Sequence, residues 1–452
     1  MTSAIVMAAG KGTRMHTAHA KTMHNVLGKP MLERIYETLK AVSVEKTVFV
    51  VGHGADEIKD YFQDKVEYAI QQPQLGSGHA VMQATQLKSE KGKTLIINGD
   101  CPLIQKDTYM KLLDFSNDYP LTLLTVKLAD PASYGRIVRD ENGNVSKIVE
   151  RKDCSEEEIK INEINVGIYC ADNELLWKYL PEIKNDNAQK EYYVTDLVEI
   201  FISHGHKVGA ISAEDPMEMT GINNRKELSM ATKWLQEKVN NKLMENGVTL
   251  VSPETTFISE ESEIGEDTII YGNVRIEGKC VIGKDNVITE GSYLFNAVIG
   301  DNNEIRSSRI TDSKVGNGTV IGPWAHLRND CEISDNCRIG NYVELKNTTF
   351  GEGTKCAHLT YVGDSKVGSK VNFGCGVVTV NYDGKHKFHT EIGDGAFIGS
   401  NVNIIAPVKV GKNAVIAAGS TITDDVEDGD MAIARSRQEI KPGYGLKYKN
   451  KQ

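Results

Sequence analysis

The sequence predicts a doubly wound α/β domain, then a connecting helix, then a parallel β-helix built from six-residue repeats. Two changes of pattern carry this reading. Strand-like and helix-like segments alternate over residues 1–220, a narrow helical stripe follows, and from about Val251 aliphatic residues recur at every sixth position.

At 452 residues the chain is too long for one ordinary core, so two or three domains are expected. Its composition, 40% hydrophobic and 25% charged, is that of a soluble globular protein. No apolar run reaches the length of about 18 residues that a membrane-spanning helix needs. The basic residues of the amino terminus follow its short apolar stretch, the reverse of a secretory signal, so this stretch reads as a buried first strand. A net charge of −10 argues against a general nucleic-acid binder, and an anionic ligand must meet local clusters of Lys and Arg. None of the eight scattered cysteines pairs at CxxC spacing. They imply a reducing cytoplasm, mostly buried thiols and no zinc site.

In the first part, strands are expected at 4–7, 47–51, 93–98 and 121–128, with helices at 31–40, 55–62, 79–86 and 108–115. Such alternation implies a mainly parallel sheet with ligands beyond the carboxyl ends of its strands. The loops at 8–14 and 99–103 are in the right place. Next, Asn224 with Glu227 forms an N-terminal capping pair. Leu228, Ala231, Leu235, Val239 and Leu243 form a thin apolar stripe that Gly247 can end, as expected of an arm between domains. The boundaries are placed at 1–226, 227–247 and 248–452.

Beyond the arm, the six-residue spacing runs through Ile264, Ile270, Ile276, Ile282 and Ile288. It resumes from Val315 to Leu345 and again from Ile392 to Ile422. Six fits a triangular coil in which each face is a short strand carrying one inward aliphatic residue. Between residues 346 and 391 the period fails. This stretch, with HLTYVGDSKVG and NYDGKHKF, is expected to hold loops leaving the coil.

Two constellations carry chemistry. The first is the loop Ala8-Ala9-Gly10-Lys11-Gly12-Thr13-Arg14-Met15, which fits neither the dinucleotide fingerprint nor a P-loop. Its glycines let backbone N–H groups close on phosphate oxygens, and Lys11, Arg14 and Lys21 add positive charge. In Asn98-Gly99-Asp100-Cys101-Pro102-Leu103, Asp100 ends a strand where a carboxylate can hold Mg²⁺; an Asp in a turn is as often only a turn residue. The second constellation is His358, a side chain suited to removing a proton near neutral pH. Arg328 and Lys346 fall at the same edge of the coil if the period holds, and suit a sugar phosphate or product carboxylates. His326, His386 and His389 are close by in sequence, so position alone does not single out His358.

The MAAGKGTRM loop, QLGSGHA (74–80) and NGDCPL (98–103) together resemble the sugar-nucleotide pyrophosphorylases. With YGRIVR (134–139), IVERKD (148–153), EINVGIY (163–169) and GINNR (221–225), the chain from Ala4 to about Pro442 resembles a bifunctional bacterial family. These are the N-acetylglucosamine-1-phosphate uridyltransferases that are also glucosamine-1-phosphate acetyltransferases. The resemblance implies a Rossmann-like nucleotidyltransferase domain and a left-handed β-helix. It also implies acetyl transfer from acetyl-CoA to glucosamine 1-phosphate, then uridylyl transfer from UTP to N-acetylglucosamine 1-phosphate with release of pyrophosphate.

By the same resemblance, Met7, Ala8, Ala9, Gly10, Lys21, Gln72, Gly76 and Ser77 contact the nucleotide. Gly135, Glu150, Asn165 and Asn223 contact the sugar or product, and Asp100 with Asn223 binds Mg²⁺. Catalysis is then alignment for in-line attack, with Arg14 and Lys21 stabilising charge. His358 is the base of the second reaction. Arg328, Lys346, Tyr361 and Asn372 hold the sugar phosphate, and Cys375, Asn381, Tyr382, Ser400, Ala418 and Arg435 line the acetyl-CoA site. Cys375 departs from the family, which more usually has Ala there, and brings sensitivity to thiol reagents. A homotrimer with shared acetyltransferase sites is the inherited expectation. The rival readings are a single-activity nucleotidyltransferase with a structural or regulatory β-helix, and a non-catalytic sensor of nucleotide sugars. The basic tail from Lys441 to Lys451 either touches coenzyme A phosphates or is a solvated end.

Overall fold

The computed structural model describes residues 1–131, 134–187 and 189–449 and divides into two compact units that meet in sequence between Leu235 and Gln236.

The first unit is a sheet covered by helices on both faces. Its strands are β1 (Thr2–Ala8), β2 (Lys46–Val51), β3 (Glu67–Ile70), β4 (Lys93–Asn98), β5 (Leu121–Lys127), β6 (Arg136–Arg139), β7 (Val145–Val149), β8 (Glu163–Asp172) and β9 (Val208–Ser212). The main path runs β9-β5-β8-β4-β1-β2-β3, and β6 joins β7 to β8. β1, β2, β3 and β4 pair in parallel, whereas β8 runs antiparallel to both β4 and β5. The sheet is mixed but mainly parallel, as the alternation implied.

Its sidedness follows from the pleat. On β1, Ala4, Val6 and Ala8 pack with α1 (Met31–Ala41), α2 (Ala55–Phe62) and α4 (Lys106–Phe115), while Ile5 packs on the opposite face. That face is covered by α3 (Ser77–Gln83), α5 (Asn173–Tyr179) and α6 (Leu197–Ser203). The four expected strands and four expected helices all form, with ends shifted by a few residues.

Helix α7 (Arg225–Glu245) starts as the capping pair requires. Glu227 N–H donates to Asn224 Oδ1 at 2.9 Å, and the Asn224 amide donates to Glu227 Oε1 at 2.7 Å. It ends before Gly247, whose φ of +89° suits a residue without Cβ. The apolar stripe is divided. Leu228, Ala231 and Leu235 pack with Met15, Val26 and Met31 in the first unit; Val239 and Leu243 belong to the core of the second.

In the second unit, two- and three-residue strands pair with the third strand onward, so each coil has three faces. Pairing offsets confirm the period: Glu263 faces Val281, and Ile269 faces Val287. Sixteen of the seventeen positions of the six-residue spacing are buried, and Ile264 is half-buried. No helix of the described residues is long and apolar enough to cross a membrane.

One expectation needs correcting. HLTYVGDSKVG does not leave the coil. All of it but the last glycine lies in the strand Lys355–Val367, which pairs in parallel with Arg338–Phe350 along its length. The inward row continues through Leu345, Phe350, Cys356, Val362, Val367, Phe373 and Thr379, all buried. The period fails there because two faces have five residues instead of six, which shortens a corner without opening it. Only NYDGKHKF leaves the coil: Lys366 pairs with Glu391 across it, and Tyr382 bridges Lys387 within it.

Candidate functional sites

In the first unit the site is assembled at the carboxyl ends of β1 and β4. Gly12 adopts φ +57°, and a Cβ there would meet Lys21 Cβ at 2.6 Å, so the glycine lets the loop lie against the lysine stem. Lys21 Nζ donates to Asp100 Oδ2 at 2.6 Å and to Asn223 Oδ1 at 2.8 Å. Arg14 Nη2 donates to the same Asn223 oxygen at 2.8 Å. Asn223 is placed by its own backbone, whose N–H donates to Glu227 Oε2 at 2.6 Å, and by the link from Ile222 N–H to Asp100 O at 2.8 Å. The start of α7 thereby reaches the β4 loop through backbone bonds.

The other predicted nucleotide residues belong to the same loop cluster. Ala8 and Ala9 are buried, Met7 is half-buried and Gly10 is exposed. The Gln74 amide donates to Ala9 O, tying the 72–77 segment to this loop, and Gly99 N–H donates to Met7 O at 3.0 Å. Gly76 cannot carry a side chain, because a Cβ would meet Tyr192 backbone atoms. Ser77 Oγ accepts from Val194 N–H at 3.1 Å, while Gln72 is exposed. Gly135, Glu150 and Asn165 form a second group: Asn165 N–H donates to Gly135 O at 3.0 Å, and a Cβ on Gly135 would lie 3.3 Å from Glu150 Oε1. Burial, with Asp153 adding repulsion, raises the Glu150 pKa.

The donor set fits Mg²⁺. One carboxylate oxygen and one amide oxygen already converge on a single point charge, and both are the hard ligands that Mg²⁺ takes together with water and phosphate oxygens.

In the second unit the predicted sugar-phosphate cations are stacked by register. Arg328 faces Lys346, and Lys346 faces Gly363. Arg328 Nε donates to Glu344 Oε1 at 2.8 Å; Lys346 lies 3.3 Å from buried Asp364. Hydrogen bonds from Asn347 and Asn381 and the Lys346 charge hold the Asp364 pKa low against burial. The space above Gly363 is taken by the Tyr361 hydroxyl and the Asn381 amide. Asn372 lies on the neighbouring face, paired with Lys355.

His358 is exposed at the corner between these faces. Its Nδ1 lies 3.1 Å from Asn341 Oδ1 on the preceding coil. A proton on Nδ1 would pair with this amide oxygen and leave Nε2 directed away from Asn341. The other histidines differ: His326 is half-buried, with its pKa lowered mainly by burial, and His386 lies 3.7 Å from Asp383 on the excursion. Further along this corner, Asn401 N–H donates to Cys375 O at 2.7 Å and Gly419 N–H to Ser400 O at 2.8 Å. Cys375, Ser400 and Ala418 therefore follow one another coil by coil, with Arg435 beside Gly419. Tyr382 is exposed on the excursion. Cys375 is exposed, six cysteines are buried, and Cys154 is intermediate. A groove of about 580 Å³ runs along the third face, between Glu332 and Asp428, and none of the predicted residues lines it.

Sequence reasoning missed Asn341, Asp364 and Lys387. Asn341 and Asp364 lie one coil from His358 and Lys346, so counting coil lengths would have found them. Lys387 sits on the excursion beside Lys346, whose amine and charge lower its pKa.

A family model described as nucleotidyl transferase matches residues 3–235. One described as bacterial transferase hexapeptide (six repeats) matches 312–347 and 389–424. A curated relative, "Bifunctional protein GlmU" of Geobacillus sp. (strain WCH70), is 50% identical over 98% of this chain and 97% of its own. The chain belongs to the GlmU family. Relatives of the same name from Shouchella clausii and Listeria monocytogenes serotype 4a are 47% and 48% identical over 98% of the chain, covering 98% and 97% of their own lengths. The chain is a bifunctional transferase of UDP-N-acetylglucosamine synthesis, with uridyltransferase and acetyltransferase activities.

Proposed function

We propose that residues 1–226 transfer the uridylyl group, residues 248–452 transfer the acetyl group, and 227–247 connect them. The observation that carries this division is that each unit holds its own polar constellation on rigid elements: Lys21, Arg14, Asp100 and Asn223 in one, and His358 with Asn341 in the other.

In the first reaction centre, an oxygen of N-acetylglucosamine 1-phosphate attacks the α-phosphorus of UTP and pyrophosphate leaves. The phosphate nucleophile is already anionic, so no side chain has to remove a proton. The backbone of Met7, Ala8, Ala9 and Gly10 with Gln72, Gly76 and Ser77 holds the nucleotide, and Gly135, Glu150 and Asn165 hold the sugar. Arg14 and Lys21 meet the charge that develops on the phosphates. Asp100 and Asn223 would hold Mg²⁺, which would supply further positive charge there.

In the second centre, Arg328, Lys346, Tyr361 and Asn372 hold glucosamine 1-phosphate, and Cys375, Asn381, Tyr382, Ser400, Ala418 and Arg435 hold acetyl-CoA. His358 Nε2 takes the proton from the sugar amine as its nitrogen bonds to the thioester carbonyl, the carbon–sulfur bond breaks, and the departing sulfur takes that proton so that coenzyme A leaves as the thiol. The β-helix assembles as a homotrimer. Its flat faces, and the exposed Trp324, Tyr342 and Leu359 along one corner, support this. The enzyme works in the cytoplasm, where its substrates and eight free thiols belong.

Two assays on one preparation test the division. One follows Mg²⁺-dependent pyrophosphate release, the other free thiol from acetyl-CoA. Asp100→Ala should abolish the first and spare the second, and His358→Ala should lower the second by about 10²–10⁴-fold and spare the first. Loss of both activities in both variants would refute two separate sites.

A further inference from the structure

The Lys21 ammonium occupies the point on which Asp100 Oδ2 and Asn223 Oδ1 converge, at 2.6 and 2.8 Å. The Asn223 oxygen also accepts from Arg14 at 2.8 Å, so two cationic donors already claim it. The Lys21 side chain is only 12% exposed and that of Asp100 only 24%. A half-buried carboxylate is stabilised by a cationic partner, and Lys21 fills that place here. Gly12 lies against the Lys21 stem, so the root of the side chain is placed by the loop, and its far end is held by the two hydrogen bonds that a competing ligand would have to replace. Arg14 is exposed and makes no hydrogen bond to Asp100 among the described residues, so it does not share this task.

We propose that Lys21 is a built-in counter-ion for the metal position, which it must vacate before a divalent cation can use both Asp100 and Asn223. This rests on the reading of those two residues as metal ligands. An incoming phosphate draws the ammonium toward its own oxygens and frees the carboxylate for the metal. The metal in turn releases the ammonium for the phosphate. By linkage, the two ligands then favour each other's binding to the same degree. The site thus avoids a fixed excess of either charge, since one cation replaces another as the nucleotide arrives.

The test is Mn²⁺ binding to the full chain without nucleotide, followed by the paramagnetic resonance of free Mn²⁺. Lys21→Met should bind Mn²⁺ about tenfold more tightly than the unaltered chain. Adding Asp100→Asn to Lys21→Met should remove the gain. Lys21→Gln repeats the measurement with a polar neutral side chain, so a fold defect in one variant, seen by circular dichroism, does not decide the outcome. Equal affinities in the unaltered chain and the folded Lys21 variants, with Asp100→Asn still weakening binding, would overturn the counter-ion role alone. If Asp100→Asn has no effect in the Lys21→Met background, the metal assignment itself is wrong.

Discussion

Asn341 gives the proposed acetyl site a test that His358 alone does not. Its amide oxygen would pair with a His358 proton on Nδ1, so Asn341→Ala should let the ring populate the other tautomer and lower acetyl transfer about tenfold. The pH–rate profile should shift while uridylyl transfer stays constant; an unchanged profile would assign Asn341 a purely structural part. Asp196 predicts a pH effect on stability. Burial, then repulsion from Glu199 and Glu150, raises its pKa from 3.8 to about 6. The folded chain therefore holds this proton more tightly than the unfolded one. The resulting stabilisation is complete below about pH 4 and is lost as pH rises through 6. Asp196→Asn should flatten this part of the dependence and raise the melting temperature at pH 7.5 relative to the unaltered chain. Melts at pH 4.5 and 7.5 would show it. At this scale the sequence was partly legible. Lys21 and Asp100 could be read because each sits within or beside a loop that follows a strand. Asn341 and Asp364 needed the coil lengths as well, because a change from six to five residues per face shifts which residue stands beside His358 or Lys346.

At the scale of elements, each coil stacks only on its neighbours, so stability along the β-helix is close to additive. Ile339 is fully buried between Ile321 and Cys356 in its row. Ile339→Ala should cost about 2–5 kcal/mol in chemical denaturation, seen in the transition that the β-helix unit reports. A loss below about 1 kcal/mol would mean that the coil closes over the missing side chain. The elements were the most legible part of the chain. Alternating strands and helices, the Asn224–Glu227 cap and the inward aliphatic row all express local geometry that sequence spacing records directly. The failure at 358–368 is instructive for the same reason: a lost period looks like a loop, yet a five-residue face keeps its inward residue and its backbone ladder.

For the whole molecule, the proposed trimer predicts a sedimentation mass of three times the 49.8 kDa chain. Trp324→Ala with Tyr342→Ala, which removes the stacked pair 5.2 Å apart on the exposed corner, should shift it toward smaller species. A monomeric mass for the unaltered chain would exclude the trimer. The sequence by itself determined that one α/β unit and one β-helix follow each other, and which loops end at strand termini. It did so because side-chain periodicity and turn chemistry are properties of neighbouring residues. Only the tertiary structure decided that Lys21 stands between Asp100 and Asn223, that Asn341 holds His358, and that Arg328 and Lys346 each carry an acidic partner. Those encounters join residues on adjacent coils or far apart in the chain. All of them depend on charges and hydrogen bonds that form only after the strands have set their register.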